Sequence, residues 1–224
     1  MSGTFNFRKF IRTLFPKRVL YWIQVIRGTW GDRCLGIRTQ GWYQLQKKDF
    51  ELMAIPDGMD YQAASYHLLK QIFVRIPFDE NDICIDLGCG KGRVICLLAK
   101  RYKLKKVIGV DILPSLTEVA RENAERIKPL TPLEILTADV TQVDLSQATI
   151  YFLFNPFGEG TMRRVLDLIQ LGLETNPRQV KIVYFNPLCR EIFSGYPWLR
   201  PFATIDYRVA IWENVPACGS PETM

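Results

Sequence analysis

One octapeptide constrains the fold more than anything else in the chain: Asp86-Leu-Gly88-Cys-Gly90-Lys-Gly92-Arg93. An apolar run over 83–87 leads into it and an apolar-periodic stretch follows, so it reads as the turn between a buried strand and a helix. Glycines at alternate positions let the backbone bend sharply and approach a ligand closely. The helix behind them presents unpaired N–H groups to polar ligand atoms. The turn is not the dinucleotide fingerprint G-x-G-x-x-G, because the third glycine would fall at position 93, which is Arg93.

From residue 82 onward, strand-like and helix-like segments alternate. Strands are expected over 83–87, 106–110, 133–136, 149–154 and 180–185, and helices over 94–102, 115–127 and 162–173. The alternating stretch 202–212 suggests a closing antiparallel hairpin. Repeated βα units imply an α/β fold, a doubly wound, mostly parallel sheet with an antiparallel C-terminal strand or hairpin. Its ligand belongs at the carboxyl ends of the strands. Asp111 ends the second strand there, where its carboxylate can accept both ribose hydroxyls of a nucleoside; it can equally cap the helix that follows. Upstream, 61–76 reads as a helix ending before Pro77. It contains Tyr61 and Tyr66, whose ring faces can meet a cation or simply pack. His67 reads as a packing or surface residue.

Charge divides the chain. Residues 1–48 hold ten Lys/Arg and one acid, whereas 49–224 hold nineteen Lys/Arg and twenty-two acids, so an acidic partner belongs with the N-terminal part. There Phe7, Phe10, Ile11, Leu14 and Phe15 recur at helical spacing opposite Arg8, Lys9 and Arg12, an amphipathic helix with a basic side. Pro16 ends it, a second short helix runs through Arg27, and Gly28, Gly31, Gly36 and Gly41 read as loop punctuation. With Phe7, Phe10, Phe15, Trp22 and Trp30, the segment suggests an interfacial membrane anchor or a partner-docking helix; nucleic acid fits it less well. The apolar run 19–26 is too short to span a bilayer, which takes about 20 residues. Six cysteines without a C-x-x-C pair, and one histidine, speak against zinc and for a reducing compartment, here the cytoplasm. An Arg-rich start with no acid before Asp32 is also a mitochondrial transit pattern. The domain layout is then a basic extension over 1–45, a helical lead-in over 46–80, the ligand-binding domain over 81–214 and a tail over 215–224.

The G-x-G-x-G spacing with Asp86 ahead of it resembles motif I of class I S-adenosylmethionine-dependent methyltransferases, a resemblance that covers about residues 60–213. It implies a seven-stranded sheet, S-adenosylmethionine as cofactor, and a cofactor loop made of Asp86, Gly88, Gly90 and Gly92. It also implies that Asp111 holds the ribose, that Asp139 meets the adenine amino group and the Val140 N–H its ring, and that Tyr61 and Tyr66 cover the cofactor. Asn155-Pro156-Phe157-Gly158 resembles the N-P-P-F/Y motif of amino-group methyltransferases, lacking its second proline. By that resemblance Asn155 and the Pro156 carbonyl accept hydrogen bonds from a target nitrogen and Phe157 packs on the target group. The expected acceptor is a nitrogen nucleophile, and some relatives with similar motifs methylate protein lysines. Asn186-Pro187 lines the same cleft or serves as a plain turn. Two other functions remain open at this point: an inactive cofactor-binding partner subunit, and a nucleotide-dependent oxidoreductase, against which Arg93 speaks.

Overall fold

The structure, a computed structural model, describes residues 17–46, 49 and 57–215. The amphipathic pattern over 7–15 and the tail beyond 215 lie outside them. In chain order the elements are α1 (Lys17–Leu35), β1 (Trp42–Tyr43), β2 (Tyr61–Gln62), α2 (Tyr66–Phe73), β3 (Ile83–Leu87), α3 (Arg93–Arg101), β4 (Lys106–Asp111) and α4 (Pro114–Arg126). There follow β5 (Leu133–Thr137), a 3-10 turn (Val140–Gln142), β6 (Ile150–Phe154), α5 (Glu159–Thr175), β7 (Lys181–Phe185), a second 3-10 turn (Arg190–Gly195), β8 (Leu199–Ile205) and β9 (Val209–Asn214).

The main sheet has the order β5-β4-β3-β6-β7-β9-β8. The first five strands of that order run parallel, and β9 pairs antiparallel with both β7 and β8. This is the doubly wound sheet with a closing hairpin that the sequence implies. The chain builds outward from β3 to β5, then returns to β6 on the other side of β3. Loops leaving β3 and β6 therefore diverge and leave a crevice at their carboxyl ends.

Successive strand residues point to opposite faces, and the two cores show it. Cys84, Phe152, Val183 and Phe185 pack with α2 and α3, while Ile83, Ile85, Leu87, Tyr151 and Leu153 pack with α5. Cys84 and Cys96 are fully buried core residues. Being covered on both faces, the central strands carry continuous apolar runs, which is why their boundaries fall within one or two residues of expectation.

The region before β3 departs from expectation in two places. Helix α1 does not stop at Arg27 but runs to Leu35 through Gly28 and Gly31. Those glycines mark close approach instead of loop: a Cβ on Gly28 would overlap the Gln40 side chain, and one on Gly31 the Tyr66 ring. Gly36, at φ 80°, is the true stop. Its N–H donates to the Arg33 carbonyl at 3.2 Å and the Ile37 N–H to the Asp32 carbonyl at 2.9 Å, the Schellman pattern. Secondly, the helix expected over 61–76 starts only at Tyr66. Tyr61 and Gln62 pair with Tyr43 and Trp42 in a two-stranded ribbon.

Residues after α1 belong to the domain. Leu35 and Ile37 are buried in the core shared by α2 and α3. Asn123 accepts from the Arg38 N–H at 2.8 Å and donates to the Arg38 and Lys91 carbonyls at 3.1 and 2.9 Å. The strongest tie is ionic. Arg93, the first residue of α3, is 4% exposed. Its guanidinium donates to Thr39 Oγ1 at 2.6 Å, the Ala64 carbonyl at 2.7 Å and Asp32 Oδ1 at 3.1 Å. Asp32 in turn accepts from the Thr39 N–H and hydroxyl, the Gln40 N–H and the Tyr66 hydroxyl.

A buried pair so fully bonded is sensitive to losing one partner. Asp32→Ala strands a buried guanidinium and is expected to cost about 3–5 kcal/mol, measured by urea unfolding. Pairing it with Arg93→Met removes the unpaired charge and should recover much of that loss. A single-variant cost below about 1 kcal/mol would show the pair to be solvated.

Candidate active site

The crevice between β3 and β6 is an open cavity, with about 690 Å³ of space counting its mouth. Its floor is Gly88 from the turn after β3. One wall is Val110, Asp111, Ile112 and Leu113, with Leu116, from the end of β4 and the start of α4. Ala138 and Val140 follow from β5, Phe154, Pro156 and Phe157 from β6, and Leu45 with Gly58 to Gln62 from the lead-in segment.

The glycine turn is held from behind. Gly88 and Cys89 N–H groups both donate to the Val110 carbonyl, at 2.8 and 2.9 Å. Gly88 has φ 84°, and a Cβ there would collide with the Pro156 ring. Only glycine satisfies both the left-handed backbone and that approach. Gly90 lies similarly close under the Tyr61 ring, and Gly92 caps α3.

Asp111 sits at the end of β4 facing this turn. Its Oδ2 accepts from the Gly90 N–H at 2.8 Å and its Oδ1 from the Leu113 N–H at 3.0 Å. It does not cap α4, whose N-cap is Leu113 without a side-chain cap bond, and each oxygen keeps a lone pair for a ligand hydroxyl. Burial raises its carboxyl pKa, against the backbone N–H groups of Leu113, Gly90 and Ile112 that lower it. Asp86, buried beneath the turn, is pushed up to about 8, chiefly by burial and then by the Asp111 charge.

Tyr61 lines the cavity, and its hydroxyl donates to the Thr39 carbonyl at 2.6 Å. The Lys91 ammonium lies 5.2 Å from its ring centroid. Tyr66 is not brought here. Its hydroxyl donates to Asp32 and its ring stacks under Arg93 at 4.6 Å, so it packs the clasp. Asp139 does not line the cavity either. It caps the 3-10 turn, Oδ1 accepting from the Thr141 N–H and hydroxyl, both at 2.8 Å, while its neighbours Ala138 and Val140 supply the wall.

The β6 end carries Asn155 at φ 46°, a conformation Asn tolerates better than most residues. Its Oδ1 accepts from the Tyr184 hydroxyl at 3.2 Å. The Pro156 carbonyl accepts from the Met59 N–H at 3.0 Å, and Gly58 bridges Phe157. Asp57 completes this seam, its carbonyl accepting from the Gly158 N–H and its carboxylate from the Thr161 N–H and hydroxyl. The apolar residues Leu45, Met59, Ile112, Leu113 and Leu116 escaped the sequence reading. Of these, only Ile112 and Leu113 had a signal, their position directly after Asp111.

A protein-family model described as a methyltransferase domain matches residues 84–168. A carboxy-S-adenosyl-L-methionine synthase of Pectobacterium atrosepticum is 30% identical over 174 residues, 70% of this chain and 67% of that protein. The chain belongs to the class I S-adenosylmethionine-dependent methyltransferases. A protein-lysine N-methyltransferase of Saccharolobus islandicus is 36% identical over 102 residues, 46% of this chain. The chain spans 63% of that relative's length. The same fold is seen in an RNA methyltransferase from Salinibacter ruber solved with S-adenosyl-L-homocysteine, with a TM-score of 0.52 and 20% identity over 72% of this chain and 97% of that one. Methyltransferases of this family use S-adenosylmethionine.

The cavity fits that group. Asp111 has the paired acceptors that ribose hydroxyls call for, and Ile112, Leu113, Leu116 and Val140 give the apolar surface that a flat base calls for. Asp111→Ala should weaken S-adenosylmethionine binding by about 1.5–3 kcal/mol, roughly 10- to 150-fold in affinity, read by calorimetry; an unchanged affinity would move the ribose elsewhere.

Asp86 generates a stability prediction. Its folded pKa of about 8 lies above the ordinary value of about 3.9. The fold therefore favours the protonated form, and stability is lost as pH rises from about 4 through 8. Asp86→Asn cannot ionise, so the melting temperature of the wild-type chain should fall relative to the variant's across that range. Parallel profiles would contradict it.

Proposed function

We propose that this chain binds S-adenosylmethionine in the β3–β6 crevice and transfers its methyl group to an amine nitrogen, with a protein lysine as the acceptor. The observation that carries this reading is the Asn155-Pro156-Phe157 turn seated directly against the glycine turn, with Gly88 in contact range of the Pro156 ring. The similarity to a protein-lysine N-methyltransferase supports it.

When bound, S-adenosylmethionine supplies a methyl group on a positively charged sulfur. The residues of the chain align the acceptor with it. The Asn155 Oδ1 and the Pro156 carbonyl each accept one intramolecular hydrogen bond, and each retains a second lone pair that can orient an amine. No histidine or carboxylate lies within residues 155–157, so this turn supplies no general base of the kind an oxygen nucleophile calls for. An amine needs only to be neutral. Met59, Phe154, Pro156 and Phe157 make that end of the cavity apolar, and desolvation there lowers an ammonium's pKa. Asp60 lines the same cavity; its negative charge attracts an incoming cation and opposes the desolvation by favouring the charged ammonium.

The test uses radiolabelled S-adenosylmethionine with the protein and RNA fractions of a cell extract kept separate. Label is expected in protein and recovered as methyl-lysine after hydrolysis. Label in RNA, or a product methylated on oxygen or carbon, would replace the reading. Asn155→Gly removes the amide while accepting the left-handed backbone. It should lower turnover roughly tenfold or more with cofactor affinity unchanged, whereas full activity would free Asn155 from the role.

A further inference from the structure

Over residues 26–34 of α1, Gly28, Gly31 and Asp32 face inward while Ile26 and Trp30 face outward. Gly28 and Gly31 lie against Gln40 and Tyr66, Asp32 is locked in its pair with Arg93, and Leu35 joins the core. On the other side Ile26 is 65% exposed and Trp30, one turn further, 70% exposed. Arg27, Arg33 and Cys34 are exposed beside them.

Charge selects the occupant of this face. Residues 1–48 carry ten Lys/Arg and a single acid. That acid is Asp32, buried and occupied by Arg93, Tyr66 and the Thr39–Gln40 turn. The exposed side of α1 is therefore apolar and cationic, with no acid of its own. Arginines flank Trp30 on both sides within one helical turn; arginine is common at protein interfaces too, so it is the one-sided positive charge of the whole segment that favours an anionic surface. An anionic bilayer surface accommodates this mixture: tryptophan prefers the headgroup level, and arginines reach headgroup phosphates and carboxylates. Among the described residues no helix is long and apolar enough to cross a membrane, so the contact is one of surface docking.

We propose that the outward face of α1, with Trp30 and Ile26 entering the interface and Arg27 and Arg33 facing anionic headgroups, docks this chain on a negatively charged lipid surface. The proposal is independent of the acceptor assigned above. It is tested by co-sedimenting the full chain with vesicles of phosphatidylcholine alone or mixed with phosphatidylserine. Binding is expected only with phosphatidylserine and should weaken with added salt. Trp30→Ala should reduce it several-fold. Arg27→Gln with Arg33→Gln should reduce it about fivefold for each charge removed. All three side chains are exposed, so melting temperature and S-adenosylmethionine affinity should not move, which separates lost docking from lost folding. Absence of vesicle binding, equal binding to both vesicle types, or binding untouched by these variants would overturn the proposal and leave the face to a protein partner.

Discussion

The buried Arg93–Asp32 pair is the constraint on which the rest of the site depends. Burying two charges carries a desolvation cost that their attraction offsets only when every hydrogen-bonding group finds a partner. Here the partners come from three separate stretches: α1 through Asp32, the turn at Thr39–Gln40, and the start of α2 through Ala64 and Tyr66. Replacing such a pair by apolar residues of similar volume is often neutral, but here its bonds tie all three stretches to Arg93. Because Arg93 follows Gly92 directly, those ties are referenced to the glycine turn.

A second seam fixes the far end of the lead-in. Asp57 accepts from Gly158 and from Thr161 in the first turn of α5, and Met59 donates to the Pro156 carbonyl. Between the two seams the chain crosses the crevice, and this span supplies Met59, Asp60, Tyr61 and Gln62 to the cavity. The sheet alone would offer an open groove at its switch point. Closing it into a cavity is the work of residues that precede the first strand of the main sheet.

The parts legible in the sequence are those whose cause is local. Strands β3 to β7 announce themselves as apolar runs between turn residues, and the glycine turn and Asp111 follow from strand order and spacing. What escaped depends on partners far along the chain. Arg93 reads only as a missing glycine, because its burial is decided by Asp32, sixty-one positions earlier. Gly28 and Gly31 look like loop residues until Gln40 and Tyr66 are seen against them. Tyr61 and Tyr66 are equivalent by composition, yet one hydroxyl reaches the Thr39 carbonyl at the cavity and the other Asp32 in the clasp. Asp139 lies one residue from two wall positions, and its own carboxylate is turned to the 3-10 cap.

The carboxyl end of β6 shows the same division most sharply. Strands β6 and β7 lie in register with Phe154 beside Phe185, so Asn155 and Asn186 sit next to each other, both at φ 46° and both followed by proline. A residue before proline is turned away from the right-handed helical region, and the left-handed turn lets each chain leave the sheet at once. The Tyr184 hydroxyl joins the two ends: it accepts from the Cys189 N–H at 3.3 Å and bonds Asn155 Oδ1 at 3.2 Å. A backbone N–H can only donate, so the single hydroxyl proton is left for Asn155. The direction of that bond fixes which side of the Asn155 amide is oxygen. The orientation of the Asn155 amide is therefore set from β7, one strand away from the Asn-Pro-Phe sequence that first drew attention to it.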